Sequence, residues 1–316
     1  MALKIKEVAK TKELFTGGHR ACAGCGCAIA IRQALLAASA AGYNLVCTCA
    51  TGCMEVSTTI YPYSAWKCSY FHSAFENSAA TCSGIEAAYR ALKKRGKIDP
   101  NRKVGFLAWG GDGGTYDIGL QSLSGAMERG HNMVYICYNN EAYMNTGIQR
   151  SSATPRGAET NTSPVGKVKK GKEQQSKDLT AIMIAHNIPY VAQATPQDHR
   201  DYMNKVVKAL ETPGPAFLSV FASCNRGWRI KMEESLSILE LAVESCYWPL
   251  FEVENGKYVI NYKPKEKMPL VEFLKPQGRF RHLLAPENKA ILDELQAETD
   301  RRWKRLLMME EATKNL

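Results

Sequence analysis

Val104-Gly-Phe-Leu-Ala-Trp-Gly-Gly-Asp-Gly-Gly114 is an apolar run that ends in four glycines around one aspartate, and Met133-Val-Tyr-Ile-Cys-Tyr-Asn-Asn140 ends a similar run in paired asparagines. Each run has the length and continuous apolarity of a strand buried on both faces, and Ile118 to Glu128 between them has helical spacing. The pair therefore forms one βαβ unit with parallel strands. The glycines let the backbone turn tightly beside a phosphate, while Asp112 and Asn140 offer hard oxygens suited to an octahedral Mg²⁺. A lone Gly-Asp-Gly is as readily an ordinary turn. What separates the two is position, because ligands of open parallel sheets bind beyond the carboxyl ends of the strands, where both halves of this pattern fall.

The same pattern extends outward. Strands are expected at Leu45 to Ala50, Val104 to Trp109, Met133 to Tyr138, Pro189 to Ala192 and Ala216 to Ala222, with helices at Phe75 to Leu92, Ile118 to Glu128 and His199 to Leu210. The alternation predicts an α/β, doubly wound, mostly parallel sheet. Residues 1–316 are expected to form a single diphosphate-binding domain. Its additions are an N-terminal segment at about 15–55, a loop insertion at about 150–178 and a C-terminal extension at about 245–316.

A chain of 316 residues with 45% hydrophobic content can bury a large core. It has no apolar run of membrane-spanning length and no secretory signal, which points to the cytoplasm and away from membranes. The formal net charge is +10, but Lys and Arg are dispersed apart from a cluster at Lys167 to Lys177. Without a nucleic-acid motif or a basic stripe interleaved with aromatics, nucleic acid is not the expected partner. An acidic protein or an anionic substrate fits the charge better.

Eleven cysteines in a cytoplasmic chain call for something other than disulfides. Cys22-Ala-Gly-Cys25 is compatible with zinc, an iron–sulfur cluster or a redox pair. A thioredoxin-like pair would follow a strand, and Phe15 to Ala21 does not read as one, so a metal site is favoured. Two expected strands end in Ala50-Thr-Gly-Cys53 and Ala222-Ser-Cys224, at the same sheet edge as Asp112 and Asn140. Cys22, Cys25, Cys53 and Cys224 thus form a candidate four-thiolate set for either zinc or a [4Fe–4S] cluster. Cys27, Cys47, Cys49, Cys68, Cys82, Cys137 and Cys246 read as small buried hydrophobes, with Cys27 and Cys49 nearest the proposed ligands.

The spacing of Gly-Asp-Gly and Asn-Asn resembles the thiamine diphosphate (ThDP) motif. Several blocks extend the likeness: His19-Arg-Ala-Cys-Ala-Gly-Cys-Gly26, Ala50-Thr-Gly-Cys-Met-Glu-Val56, Ile60-Tyr-Pro-Tyr63, Gly110-Gly-Asp-Gly-Gly-Thr-Tyr-Asp-Ile-Gly119, Asn140-Glu-Ala-Tyr-Met-Asn-Thr-Gly147 and Gln277-Gly-Arg-Phe-Arg-His282. Together they resemble the β subunits of pyruvate:ferredoxin oxidoreductases, within the 2-oxoacid:ferredoxin oxidoreductases.

The resemblance implies a ThDP-binding fold and an assignment for each site residue. Cluster thiolates fall on Cys22, Cys25, Cys53 and Cys224, favouring [4Fe–4S] over zinc. Mg²⁺ ligands fall on Asp112, Asn140 and the backbone carbonyl of Ala142. Cofactor contacts fall on Gly111, Asp112, Gly113, Gly114, Asn140, Glu141, Ala142, Asn145 and Cys53, with Asn145 the catalytic candidate on the substrate side. The family commonly has Glu where this chain has Cys27. The implied reaction takes pyruvate, CoA and ferredoxin, with α, γ and δ type subunits as partners and the activating Glu supplied by the α subunit. Oxalate or another 2-oxo acid is the alternative substrate. An electron-transferring subunit without its own catalytic site, and a ThDP decarboxylase without redox work, are the alternative functions.

Other conspicuous residues read as structural. His19, His72 and His131 lack ligand-like mutual spacing, and Glu76 and Glu86 suit a solvated or salt-bridged helix. Arg150 to Lys177 is either a flexible insertion or, because it follows the cofactor segment, a functional loop. Pro286 to Glu311 has the spacing of an amphipathic helix.

Overall fold

The computed structural model describes residues 3–316. Eight strands form one sheet: β1 (Asn44–Ala50), β2 (Ser69–Ser73), β3 (Val104–Gly111), β4 (Val134–Asn139), β5 (Tyr190–Ala194), β6 (Ala216–Phe221), β7 (Phe251–Glu254) and β8 (Lys257–Ile260). Their order is β2-β1-β3-β4-β6-β5-β7-β8. Strands β1 to β6 run parallel, and β7 and β8 add antiparallel to the β5 edge.

Alternate residues of the central strands feed two cores, which is why these runs are apolar throughout. Leu107, Trp109 and Ile136 meet Ile31 and Leu35 of the helix Gly26–Ala40 and Tyr202 and Val206 of the helix His199–Glu211. Phe106, Tyr135 and Phe217 meet Leu123 and Met127 of the helix Leu120–Glu128 on the opposite face. A third cluster gathers Phe221, Trp228, Phe273 and Phe280 at the carboxyl end of β6.

The strands expected from sequence are present with small shifts, and β2, β7 and β8 are additional. β2 is an edge strand with exposed Phe71 and His72, so it carries no buried period. β7 and β8 are four residues each and turn through Asn255-Gly256, both at positive φ, as a tight hairpin requires. The expected C-terminal amphipathic helix is Lys289–Ala312, burying Leu295 and Leu306. No helix among the described residues is long and apolar enough to cross a membrane.

The chain leaves β1 to pair on one side with β2 and on the other with β3. That reversal creates a crevice at the carboxyl ends of β1 and β3, the usual ligand position in open parallel sheets. There the chain opens into a widened π-helical turn, Gly113–Ile118.

Candidate functional site

Asp112 follows β3 and is 1% exposed. Its Oδ2 accepts from Ser151 Oγ at 2.6 Å and its Oδ1 from the Asn140 backbone N–H at 3.3 Å. Burial pushes the carboxyl up to about 7, opposed by those two hydrogen bonds. The side chain of Asn140 donates through Nδ2 to Cys27 Sγ at 3.5 Å. Its oxygen then faces Asp112 Oδ1 at 3.0 Å and the Ala142 carbonyl at 2.9 Å, where no donor stands between them.

Three oxygens converging in this way repel one another unless a cation joins them, the amide turns over or the buried Asp112 carboxyl carries a proton. Adjacent ligands of an octahedral Mg²⁺, each at ~2.1 Å, lie about 3.0 Å apart. The donor set and the spacing fit Mg²⁺; with the amide turned over, Asn140 instead donates to Asp112 Oδ1 and to the Ala142 carbonyl and accepts from the Cys27 thiol. Cys27, expected only to pack, is buried and also aims Asn140.

Gly111, Gly113 and Gly114 border a groove with Thr51, Gly52 and Cys53. A Cβ on Gly113 would lie 2.3 Å from the Tyr143 ring, so only glycine fits beneath it. The buried hydroxyl of Tyr138 has no partner and lines the same groove, a donor suited to a phosphate oxygen. The groove encloses about 30 Å³, roughly one water. A diphosphate needs more room, and Tyr143 is the side chain whose displacement would give it. Asn145 is exposed at the rim.

Glu141 departs from expectation. Its carboxylate is engaged by Arg279 Nη2 at 2.5 Å and by the Tyr247 hydroxyl, and it is absent from the lining of the groove. The expected insertion is no loose loop. Ser151 holds Asp112, Ser152 N–H donates to Asp117 at 3.0 Å, and Thr154 Oγ1 donates to the Glu141 carbonyl at 2.6 Å. Buried Lys172 ties it down by donating to the carbonyls of Ser151 at 3.3 Å and Ser152 at 3.4 Å, and burial lowers its pKa to about 8. None of these residues stands in a motif that sequence spacing could have flagged.

The four candidate thiols meet at the same edge. The Cys22–Cys25 loop is fastened to the end of β6 by Gly26 N–H to Ser223 O at 3.1 Å and Asn225 Nδ2 to Ala23 O at 2.8 Å. Cys53 opens the helix Cys53–Thr58 beyond β1, and Cys224 accepts from Gly227 N–H at 3.4 Å. Burial pushes the Cys53 thiol up to about 12, reinforced by Cys224, Cys25 and Cys22, so all four lie within electrostatic reach. Cys25 is drawn down to about 7, first by its hydrogen bond with Cys27 and also by the Ala28 and Cys27 N–H groups. Among the described residues no three His, Cys, Asp or Glu side chains close on a single ion. Thiolates that each bind a different iron of a cluster need not do so.

The remaining cysteines are buried, or half-buried at Cys68. His131 bonds Glu86 at 2.9 Å and His72 bonds Thr51 at 2.9 Å, and neither histidine lines the groove.

Residues 50–220 match the thiamine pyrophosphate enzyme C-terminal TPP binding domain. Over 320 residues the chain is 53% identical to pyruvate synthase subunit PorB of Thermotoga maritima, covering 100% of this chain and 99% of that one. PorB of Methanocaldococcus jannaschii is 54% identical, covering 86% and 90%. Ketoisovalerate oxidoreductase subunit VorB of Pyrococcus abyssi is 44% identical, covering 95% and 94%. The fold is shared with a 2-oxoglutarate:ferredoxin oxidoreductase from Magnetococcus marinus at TM-score 0.55 and 17% identity, covering 72% of this chain and 79% of that one.

Proposed function

From the premise that the chain belongs to the β subunits of the 2-oxoacid:ferredoxin oxidoreductases, we propose that it holds the diphosphate of ThDP, one Mg²⁺ and one [4Fe–4S] cluster. The complex it serves converts pyruvate, CoA and oxidised ferredoxin to acetyl-CoA, CO₂ and reduced ferredoxin. Its partners are α, γ and δ type subunits and ferredoxin, in the cytoplasm.

The observation that carries this reading is the convergence of Asp112, Asn140 and the Ala142 carbonyl at the switch point of the sheet. Bound ThDP supplies the electron sink for decarboxylation, and the protein supplies orientation and charge. Asp112, Asn140 and Ala142 hold the metal. Gly111, Gly113 and Gly114 admit the diphosphate, with the Tyr138 hydroxyl as a further donor. Asn145, exposed at the rim, faces the substrate. Cys22, Cys25, Cys53 and Cys224 hold the cluster beside the cofactor, a short path for one-electron transfer.

The carboxylates around the groove are engaged elsewhere: Asp117 with Ser152, Glu141 with Arg279, and Glu55 with His72 at 3.6 Å. Glu76 stands in solvent. The activating carboxylate is therefore assigned to the partner α subunit, which closes the site and keeps water out.

Titrating ThDP into the purified complex with and without Mg²⁺ tests the reading. Saturable, Mg²⁺-dependent binding with a brown iron–sulfur chromophore is expected, and binding indifferent to Mg²⁺ would overturn it. Turnover on a panel containing pyruvate, oxalate and ketoisovalerate then decides the substrate, with pyruvate expected to be fastest.

A further inference from the structure

The motif Gln277-Gly-Arg-Phe-Arg-His282 lies more than a hundred residues from the cofactor segment in sequence and none of its side chains lines the groove. Its arginine nevertheless reaches that segment. Arg279 is 2% exposed. Its Nε donates to fully buried Gln277 Oε1 at 2.9 Å, and Gln277 in turn donates to the Phe273 carbonyl at 2.7 Å. Gly278 is required beside it, since a Cβ there would stand 2.6 Å from Arg229 Cβ. Held in this way, the guanidinium pairs with Glu141 at 2.5 Å and lies over the Trp228 ring at 4.3 Å.

Both partners of that guanidinium bear on the cofactor segment. Glu141 is the residue between Asn140 and Ala142, and it adopts a left-handed φ of 67°. A non-glycine residue persists there only when its surroundings over-determine it. Arg279 and Tyr247 fix its carboxylate, and Thr154 fixes its carbonyl at 2.6 Å. Trp228 Nε1 donates to the Asn140 carbonyl at 2.9 Å, and Trp228 closes the short helix that begins directly after Cys224.

We infer that the buried Arg279–Glu141 pair is a positioning device that holds Asn140 and the Ala142 carbonyl in the turn that faces Mg²⁺, and through Trp228 keys that turn to the Cys224 end of β6. The inference rests on the metal assignment proposed above. Arg279 is a positioning residue and touches neither cofactor. Arg suits the place because its planar fork bonds Glu141 and Gln277 while its face stacks on Trp228, which a lysine ammonium cannot do. Loss of the guanidinium alone leaves a buried carboxylate unpaired beside the metal turn, whereas neutralising both partners removes that charge.

The test uses the co-purified complex carrying Arg279→Met, Arg279→Lys, Glu141→Gln, or Arg279→Met with Glu141→Gln. The readouts are the Mg²⁺ concentration for half-maximal ThDP binding, iron per chain, and the cofactor-free unfolding midpoint. Arg279→Met is expected to raise the Mg²⁺ half-point by about tenfold or more, and the double variant to return most of the way. Arg279→Lys should fall between wild type and Arg279→Met, and it carries the test with the double variant if Arg279→Met does not fold. A pair that only stabilises the fold would lower the unfolding midpoint and leave the half-point within about twofold of wild type in every variant, which would overturn the inference. If wild-type complex bound ThDP without Mg²⁺, the metal assignment itself would fail, and the positioning role with it.

Discussion

Ser151 Oγ donates to Asp112 Oδ2 at 2.6 Å, so the carboxylate at the end of β3 is held by a residue the chain reaches only after the Asn140–Asn145 turn. With Oδ2 engaged, Oδ1 is left facing the side-chain amide of Asn140, which also reaches the Ala142 carbonyl. The orientation of one metal ligand thus depends on the folding of the segment after 150.

Asp112→Ala should abolish Mg²⁺-dependent ThDP binding and leave the cluster in place, because it removes a metal ligand without touching a thiolate. Ser151→Ala keeps the carboxylate but frees it to rotate, and should weaken binding by about tenfold, the worth of a hydrogen bond to a charged group. Calorimetric titration at fixed Mg²⁺ reads both. Native-strength binding by the Asp112 variant would sink the assignment.

The raised Asp112 pKa fixes the sign of a pH dependence. In the metal-free protein burial holds the carboxyl protonated up to about 7, against 3.8 ordinarily. Between those values the native state binds a proton that the unfolded chain has released, so this group subtracts stability as pH rises from about 4 to about 7. Mg²⁺ must expel that proton. Its half-point for ThDP binding should therefore rise by about tenfold per pH unit below about 7 and level off above it. Since the Ser151 hydrogen bond opposes the upward shift, Ser151→Ala should move the break to higher pH, which separates Asp112 from titration of the cofactor. A break in the same place in both proteins would mean that another group is being read.

Cys224→Ser should lose or degrade the cluster, because a hydroxyl is a poor substitute for thiolate at iron, whereas Cys246→Ser should keep it. Cys246 is 2% exposed and lies with Tyr247 and Trp248 along a separate cavity of about 290 Å³. Iron content and the paramagnetic signal of the reduced complex decide the matter. An unchanged Cys224 variant would turn attention to Cys27, which lies beside Cys25, and then to Cys49 inside β1.

What could be read from the sequence divides along physical lines. β3, β4 and β6 are buried on both faces, so their apolar runs announce them, and parallel pairing then puts every strand end that bears Asp112, Asn140, Cys53 or Cys224 on one edge. β2 lies on the edge with half its side chains in water, and the β7–β8 hairpin is too short for a period to show. The groups that hold the site in shape were illegible for a different reason. Ser151 and Lys172 act by tertiary hydrogen bonds, and nothing local distinguishes them from surface residues of the same type, while Arg279 stands in the Gln277–His282 block without any local sign of its partner Glu141. The Glu141 side chain, which the family resemblance implied as a cofactor contact, sits on a left-handed residue and is bonded to Arg279 and Tyr247, a placement no local pattern announces.

The chain by itself should be inactive. It offers the diphosphate side of a groove of about 30 Å³ with Tyr143 lying over Gly113, and its neighbouring carboxylates are bound to other partners. A cofactor seated there would have its pyrimidine end in water, with no carboxylate to activate it and no wall to exclude solvent from the reacting carbon. Purified with its cluster intact and given Mg²⁺, ThDP, CoA and pyruvate, the chain should not reduce a viologen dye. Addition of its α, γ and δ type partners should restore 2-oxo acid-dependent reduction. Turnover by the isolated chain at the rate of the full complex would mean that an acidic side chain of this subunit, such as exposed Glu76, activates the cofactor and that the site is not shared.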